Sequence, residues 1–220
     1  MIVALIKLEE LVETIDEQIF LIVGPTGSGK VEFAMQYILD GLQTDNAGII
    51  LATDRFPNEY IKIMTRLGTD PQQFINSKQL QFIDAVSYRT GERPSKGTTA
   101  VNNIRDLTGM SIFFKKLSDK CEKLQLLIDT VSTLSIFNSD IALLDFIQTQ
   151  VSRLKQKNHS GMIIAHEGIM EERVIQGISS LVDSFIEFKL EEDQTGALKR
   201  KIRVAYAKGI KLEGWVNVER

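Results

Sequence analysis

The feature that most limits how this chain can fold is a change of pattern within residues 19–42. Residues 19–24 read IFLIVG, a continuous apolar run rich in branched side chains, which suits a strand buried on both faces of a parallel sheet. Gly24-Pro25-Thr26-Gly27-Ser28-Gly29-Lys30 comes next without a break. VEFAMQYILDGL then takes up a helical periodicity, with Gly41 near its end. A buried strand, a glycine-rich turn and a helix in direct succession predict the first crossover of an α/β sheet.

The same alternation recurs along the chain. GIILAT (48–53), LQFID (80–84), LQLLID (124–129) and GMIIAH (161–166) read as further buried strands. Helical spacing predicts a short helix over 5–17, a helix over 57–68 from Pro57 to Gly68, and others over 106–120, 139–156 and near 170–180. Residues 88–103, YRTGERPSKGTTAVNN, form the one long polar stretch and read as a loop. The tail then alternates: SFIEFKLEE, KIRVAYAK and GWVNVE read as strands of an antiparallel extension, with DQTG (193–196) turning between the first two. The predicted fold class is α/β, a central and mostly parallel sheet with helices on both faces and antiparallel C-terminal strands along one edge. At 220 residues, 43% of them hydrophobic, the chain suits one domain with a sizeable core.

Polyphosphate needs converging N–H donors and a cation, and the segment from Gly24 to Lys30 offers both. Glycines let the backbone curl closely, and the helix after them adds unpaired donors and the positive end of its dipole. Lys30 supplies a mobile ammonium group for the β and γ phosphates. The next position ordinarily carries Ser or Thr, whose hydroxyl ligates Mg²⁺, but here Val31 has no oxygen to offer. Binding can survive that change because most contacts come from the backbone, whereas metal-assisted hydrolysis is weakened unless water or another residue fills the site. Thr26 and Ser28 lie in the loop but not at the ligand position.

Carboxylates stand at the ends of several strands. Asp129 ends LQLLID beside the cradle, placed to hold Mg²⁺ directly or through water, or to serve as a helix cap or turn. Asp54 comes just after GIILAT and reads either as a general base or as a turn residue before Pro57, with Arg55 lowering its pKa. His166 and Glu167 close GMIIAH, as sensors of a γ-phosphate or as a hydrogen-bonded sheet edge. Asp84 reads as a structural turn.

A net charge of −3 argues against a broad electropositive field and so against nucleic acid. The local basic cluster Lys199, Arg200, Lys201 and Arg203 reads as a solvated strand edge rather than a binding patch. The single cysteine, Cys121, excludes an intramolecular disulfide and fits a reducing, cytoplasmic compartment. With only His159 and His166 beside it, no structural zinc site can be assembled. No stretch approaches the ~20 apolar residues that a membrane-spanning helix needs, and the apolar start MIVALIKLEE is too short for a signal segment.

With these residues in hand the sequence resembles the RecA-like P-loop ATPases, and within them the KaiC and archaeal RadA-paralogue group. The resemblance runs, in order and spacing, through IFLIVGPTGSGKVEFAMQYILDG, IILATDRFPNEYIKIMTRLG, LQFIDAVS, LQLLIDTVSTL, SGMIIAHE, LVDSFIEF and VAYAKGIKLEGWVNVE. It implies a RecA-like sheet, ATP or ADP as ligand with Mg²⁺, and a homo-oligomer, often a hexameric ring with nucleotide between subunits. By position it implies phosphate binding at Gly24 to Lys30, Mg²⁺ at Asp129 and a catalytic role for Asp54, one methylene shorter than the family's glutamate. The family's C-terminal Lys-x-Arg, which reaches a neighbour's γ-phosphate, is replaced by Tyr206-Ala207-Lys208, so only Lys208 keeps a charge. All three departures touch hydrolysis rather than binding, and loss of one such electrostatic element costs roughly 10²–10³ in rate.

The expected function is therefore ATP binding with slow or absent hydrolysis, in a nucleotide-responsive regulator or assembly partner. One alternative is an active ATPase coupled to DNA recombination or repair, using Arg89, Arg93 and Lys96 of the polar loop or the C-terminal basic cluster. The other is a scaffold of the same fold that has lost nucleotide, against which the retention of Lys30 argues.

Overall fold

The computed structural model describes residues 6–95, 97–207, 209–211 and 213–218. A one-turn helix α1 (Leu8–Leu11) precedes strand β1 (Ile19–Gly24), and α2 (Lys30–Gln43) leads from it to β2 (Ala47–Ala52). Helices α3 (Pro57–Arg66) and α4 (Gln72–Asn76) bring the chain to β3 (Leu80–Asp84), and α5 (Ser87–Thr90) leads to the two-residue strand β4 (Thr99–Ala100). Helix α6 (Leu107–Ser118) precedes β5 (Leu124–Asp129), and α7 (Val131–Phe137) with α8 (Asp140–Gln156) precedes β6 (Ser160–His166). Helix α9 (Glu172–Ser179) then enters the long hairpin of β7 (Ser184–Glu192) and β8 (Leu198–Tyr206), closed by β9 (Val216–Asn217).

These strands make one nine-stranded sheet in the order β4-β3-β2-β5-β6-β1-β7-β8-β9. Pairings from β4 to β7 are parallel, and β8 and β9 add antiparallel, as the alternating tail predicts. The central strands read as unbroken apolar runs because both of their faces are covered. Phe20, Ile22, Ile50 and Ile164 face one core with α2 and α3, while Ile19, Leu21, Ile49 and Ile163 face a second core with α6, α8 and α9. A fully buried Ile or Leu contributes about 1.5–3 kcal/mol relative to exposure, so a polar residue within these runs would be costly.

Some local expectations differ from the structure. The predicted 5–17 helix is confined, among the described residues, to α1. Beyond it Val12 bridges Ile210, and Glu13 N–H donates to Gly209 O, so pairing with the C-terminal segment takes the backbone groups a helix would use. The polar 88–103 stretch is not all loop: it carries most of α5 and the edge strand β4, which pairs with β3. Helices α4 and α7 have no counterpart among the predicted elements. Asp84 does behave as a structural turn, its Oδ1 accepting from Val86 N–H and Ser87 N–H and its Oδ2 from Ser87 Oγ at 2.6 Å.

Parallel direction gathers the C-terminal ends of β1, β2, β5 and β6 on one side of the sheet. Gly24 is in register with His166, and Ala52 with Asp129. The chain leaves β1 and crosses β6 and β5 to build β2, which opens a crevice at these ends.

Candidate functional site

The turn from β1 into α2 curls around its own lysine. Gly27 and Gly29 adopt φ of 81° and 90°, a left-handed backbone that only glycine takes without strain. Gly24 answers a different need, because a Cβ there would lie 2.6 Å from Phe188 Cβ and 2.8 Å from its carbonyl oxygen. Pro25, Thr26 and Ser28 complete the curl, and Phe33 N–H donates to Gly29 O to start the helix. Lys30 is buried, and its Nζ donates to Pro25 O at 2.8 Å across the mouth of the curl. Burial holds its ammonium group down to about 8, against the attraction of Asp129. From the far side Arg200 of β8 donates through Nε to Gly27 O at 2.9 Å.

Two clefts of about 670 Å³ open here, one at the loop and one at the start of α2. One is lined by Thr26, Gly27, Leu190, Leu198, Arg200 and Asn217, the other by Val31, Glu32, Arg55, Glu59, Lys62 and Arg66 among others. Val31 itself is buried and presents only methyl groups where a hydroxyl would ligate Mg²⁺.

The acids lie next to the loop, but their partners differ from expectation. Asp129 is fully buried at the end of β5. Its Oδ2 accepts from the Tyr60 hydroxyl at 2.9 Å and from Arg55 Nη1 at 3.0 Å. The sequence assigns Arg55 to its neighbour Asp54, whose Oδ2 is 3.7 Å from the same Nη1. Adjacent, parallel β2 and β5 bring a residue just beyond one strand onto the last residue of the other, which sequence spacing cannot reveal. Burial pushes the Asp129 carboxyl up, opposed by Arg55 and by the Tyr60 hydrogen bond.

Asp54 is exposed. Its Oδ1 accepts from Thr133 Oγ1 at 3.3 Å, and its Oδ2 lies 3.9 Å from His166 Nε2. The His166 imidazole and the Arg55 charge hold its carboxyl below the usual carboxylate range, against desolvation. His166 N–H donates to Ser132 Oγ at 2.8 Å, which ties β6 to α7. Thr53 and Thr130 knot the strand ends: Thr130 N–H donates to Thr53 Oγ1 at 2.7 Å, and Thr130 Oγ1 to Ile164 O at 2.7 Å. Lys208 lies outside the described residues.

Ser28 Oγ, Asp129 Oδ1 and His166 Nδ1 are buried here without hydrogen-bond partners. Buried polar atoms seldom go unsatisfied, and three of them along one end of a sheet fit a polar ligand. The donor set for Mg²⁺ fits less well. Val31 has no oxygen, one Asp129 oxygen already carries a guanidinium and a phenol, and no group of three or more His, Cys, Asp or Glu that could hold a metal occurs among the described residues.

Tyr60, Thr133 and Arg200 are the members of this site that sequence reasoning missed. Tyr60 sits in an amphipathic helix, where it reads as core, and Arg200 lies within a basic run that reads as an edge.

A mostly parallel sheet with this loop at its first crossover and acids on the neighbouring strand ends defines a RecA-like P-loop ATPase fold. The model of the KaiC ATPase family matches residues 7–213, and the chain belongs to that family. The UPF0273 protein of Thermotoga maritima is 28% identical over 196 residues, covering 88% of this chain and 80% of its own. A UPF0273 protein of Pyrococcus furiosus is 24% identical over the same length, covering 88% and 78%. A KaiC-like protein from Pyrococcus horikoshii superposes with a TM-score of 0.73 over 96% of this chain and 92% of that one; at 13% identity it speaks to the fold alone. Among the described residues no helix is long and apolar enough to cross a membrane.

Proposed function

We propose that the chain binds ATP, with Gly24 to Lys30 around the phosphates, and hydrolyses it slowly or not at all. It then acts as a nucleotide-responsive regulator or assembly partner. The observation that carries this reading is the curled loop with a buried Lys30 hydrogen-bonded across its mouth at 2.8 Å, the form a polyphosphate needs. Membership of an ATPase family supports the choice of nucleotide.

Slow turnover rests on the acids. Asp54 is the one candidate base, and His166 and Arg55 stabilise its ionised form, so it takes a proton from water poorly. Val31 offers no hydroxyl to a metal. Four of the basic residues that a nucleic-acid role would use are engaged otherwise, while Lys96 lies outside the described residues. Lys199 pairs with Asp193 at 3.1 Å, Lys201 with Glu191, and Arg203 with Glu187. Arg89 of the polar stretch donates to Thr53 O at 3.2 Å and lies over the Phe137 ring.

The test is a titration of the purified chain with fluorescent ATP, and then phosphate release at saturation. Saturable binding with turnover roughly 10²–10³ below that of an intact site is expected. Absence of saturable binding defeats the reading, and brisk turnover defeats its second half. Light scattering with and without ATP reads whether assembly responds to nucleotide.

A further inference from the structure

We propose that Arg55 is the resident counter-cation of this site, standing where a divalent metal would otherwise neutralise the acids, so that ATP binds without Mg²⁺. The inference rests on the reading that ATP enters the Gly24–Lys30 loop.

Geometry carries it. Two carboxylates, Asp129 and Asp54, come together at the ends of β5 and β2, and a metal shared between them is the ordinary way to hold such a pair beside a polyphosphate. Here one guanidinium nitrogen, Arg55 Nη1, lies 3.0 Å from Asp129 Oδ2 and 3.7 Å from Asp54 Oδ2. The Tyr60 hydroxyl occupies the same Asp129 oxygen at 2.9 Å. The remaining oxygen, Oδ1, is buried without a partner, and Val31 has no hydroxyl to complete a metal's ligand set. A cation entering directly would also have to displace a guanidinium held in a charge-assisted hydrogen bond and would bring two positive charges beside it.

In the free site Lys30 and Arg55 supply two positive charges against the two acids, and the charge of an entering triphosphate is met by the loop amides and the outer N–H donors of the guanidinium. Arg55 is partly exposed and lines the same cleft as Val31, just past Lys30. A guanidinium has five N–H donors, so those not spent on Asp129 can face phosphate oxygens. In one cleft, Val31 withholds a metal ligand and Arg55 supplies a tethered cation.

The experiment is calorimetric titration of the full chain with ATP in excess EDTA and, separately, in excess Mg²⁺. Dissociation constants within about threefold of one another are expected. Binding in Mg²⁺ that weakens by more than about threefold in EDTA overturns the proposal alone. No binding in either solution overturns it together with the reading of the loop. Arg55→Gln, checked for folding by circular dichroism, is expected to lose about tenfold or more in EDTA and to regain part of that loss in Mg²⁺. An equal loss in both solutions would mean the guanidinium only shapes the site, and the proposal falls. Should Arg55→Gln not fold, the wild-type comparison decides.

Discussion

The guanidinium of Arg55 lies 3.0 Å from the carboxylate of Asp129, a residue fully buried 74 positions further along the chain. Removing one partner of such a pair strands a charge in the interior. Arg55→Ala is expected to lower stability by about 3–5 kcal/mol, and the double variant with Asp129→Ala to recover part of that loss. Urea unfolding of the two single variants and the double closes the cycle. Additive losses would show that the pair is not coupled.

Tyr60 meets the same carboxylate from α3, its hydroxyl 2.9 Å from Asp129 Oδ2. Tyr60→Phe keeps the ring against Phe82 and deletes only that donor. A loss of about 1.5–3 kcal/mol is expected, as for a buried hydrogen bond to a charged group. Thermal or urea unfolding checks it, and a change under about 0.5 kcal/mol would place the hydrogen bond outside the energetics of the site.

Burial lowers the Lys30 ammonium group of the free protein to about 8. A bound polyphosphate favours the charged form and raises that value, so binding takes up a proton when the pH lies above about 8. If ATP binds here as proposed, its affinity is expected to be fully present below about pH 8 and to fall as pH rises through it, by up to about tenfold per unit. Titrations in buffers of different ionisation heat read both the slope and the proton uptake. Affinity independent of pH between about 7 and 10 would remove Lys30 from the binding step.

Lys30→Met separates binding from folding. The charged ammonium is held at a desolvation cost in the free protein, so the variant is expected to unfold within about 1 kcal/mol of the wild type. The rise in Tm that ATP induces is expected to disappear from it. A persisting rise would move the nucleotide to some other surface.

Gly24 sits against the β7 strand, with Phe188 Cβ at 2.6 Å and Phe188 O at 2.8 Å from any added methyl group. Both are anchored atoms that cannot swing aside. Gly24→Ala is expected to cost about 1–3 kcal/mol by overpacking. Chemical denaturation measures it, and a neutral result would show that β1 and β7 part easily.

The sheet was legible in the sequence because its strands are covered on both faces: IFLIVG, LQLLID and GMIIAH leave almost no polar position to blur the signal. The curl of the glycine-rich loop was legible because its needs are local, fixed by glycines and one lysine within seven residues. What stayed hidden depends on distant segments. Helix α7 begins at Val131, where Thr and Ser weaken helical propensity, and its cap is a Thr130 already engaged with β6. The short α1 ends where the C-terminal segment pairs with Val12. Arg55 reads as the neighbour of Asp54 until the sheet order places β2 beside β5.

The hydrogen bond from Lys30 Nζ to Pro25 O has a kinetic corollary. If ATP enters this loop as proposed, the Lys30 ammonium group has only to exchange one acceptor for another. On that reading little ordering of the loop is expected in the encounter, and the on-rate is expected to follow diffusion into the crevice.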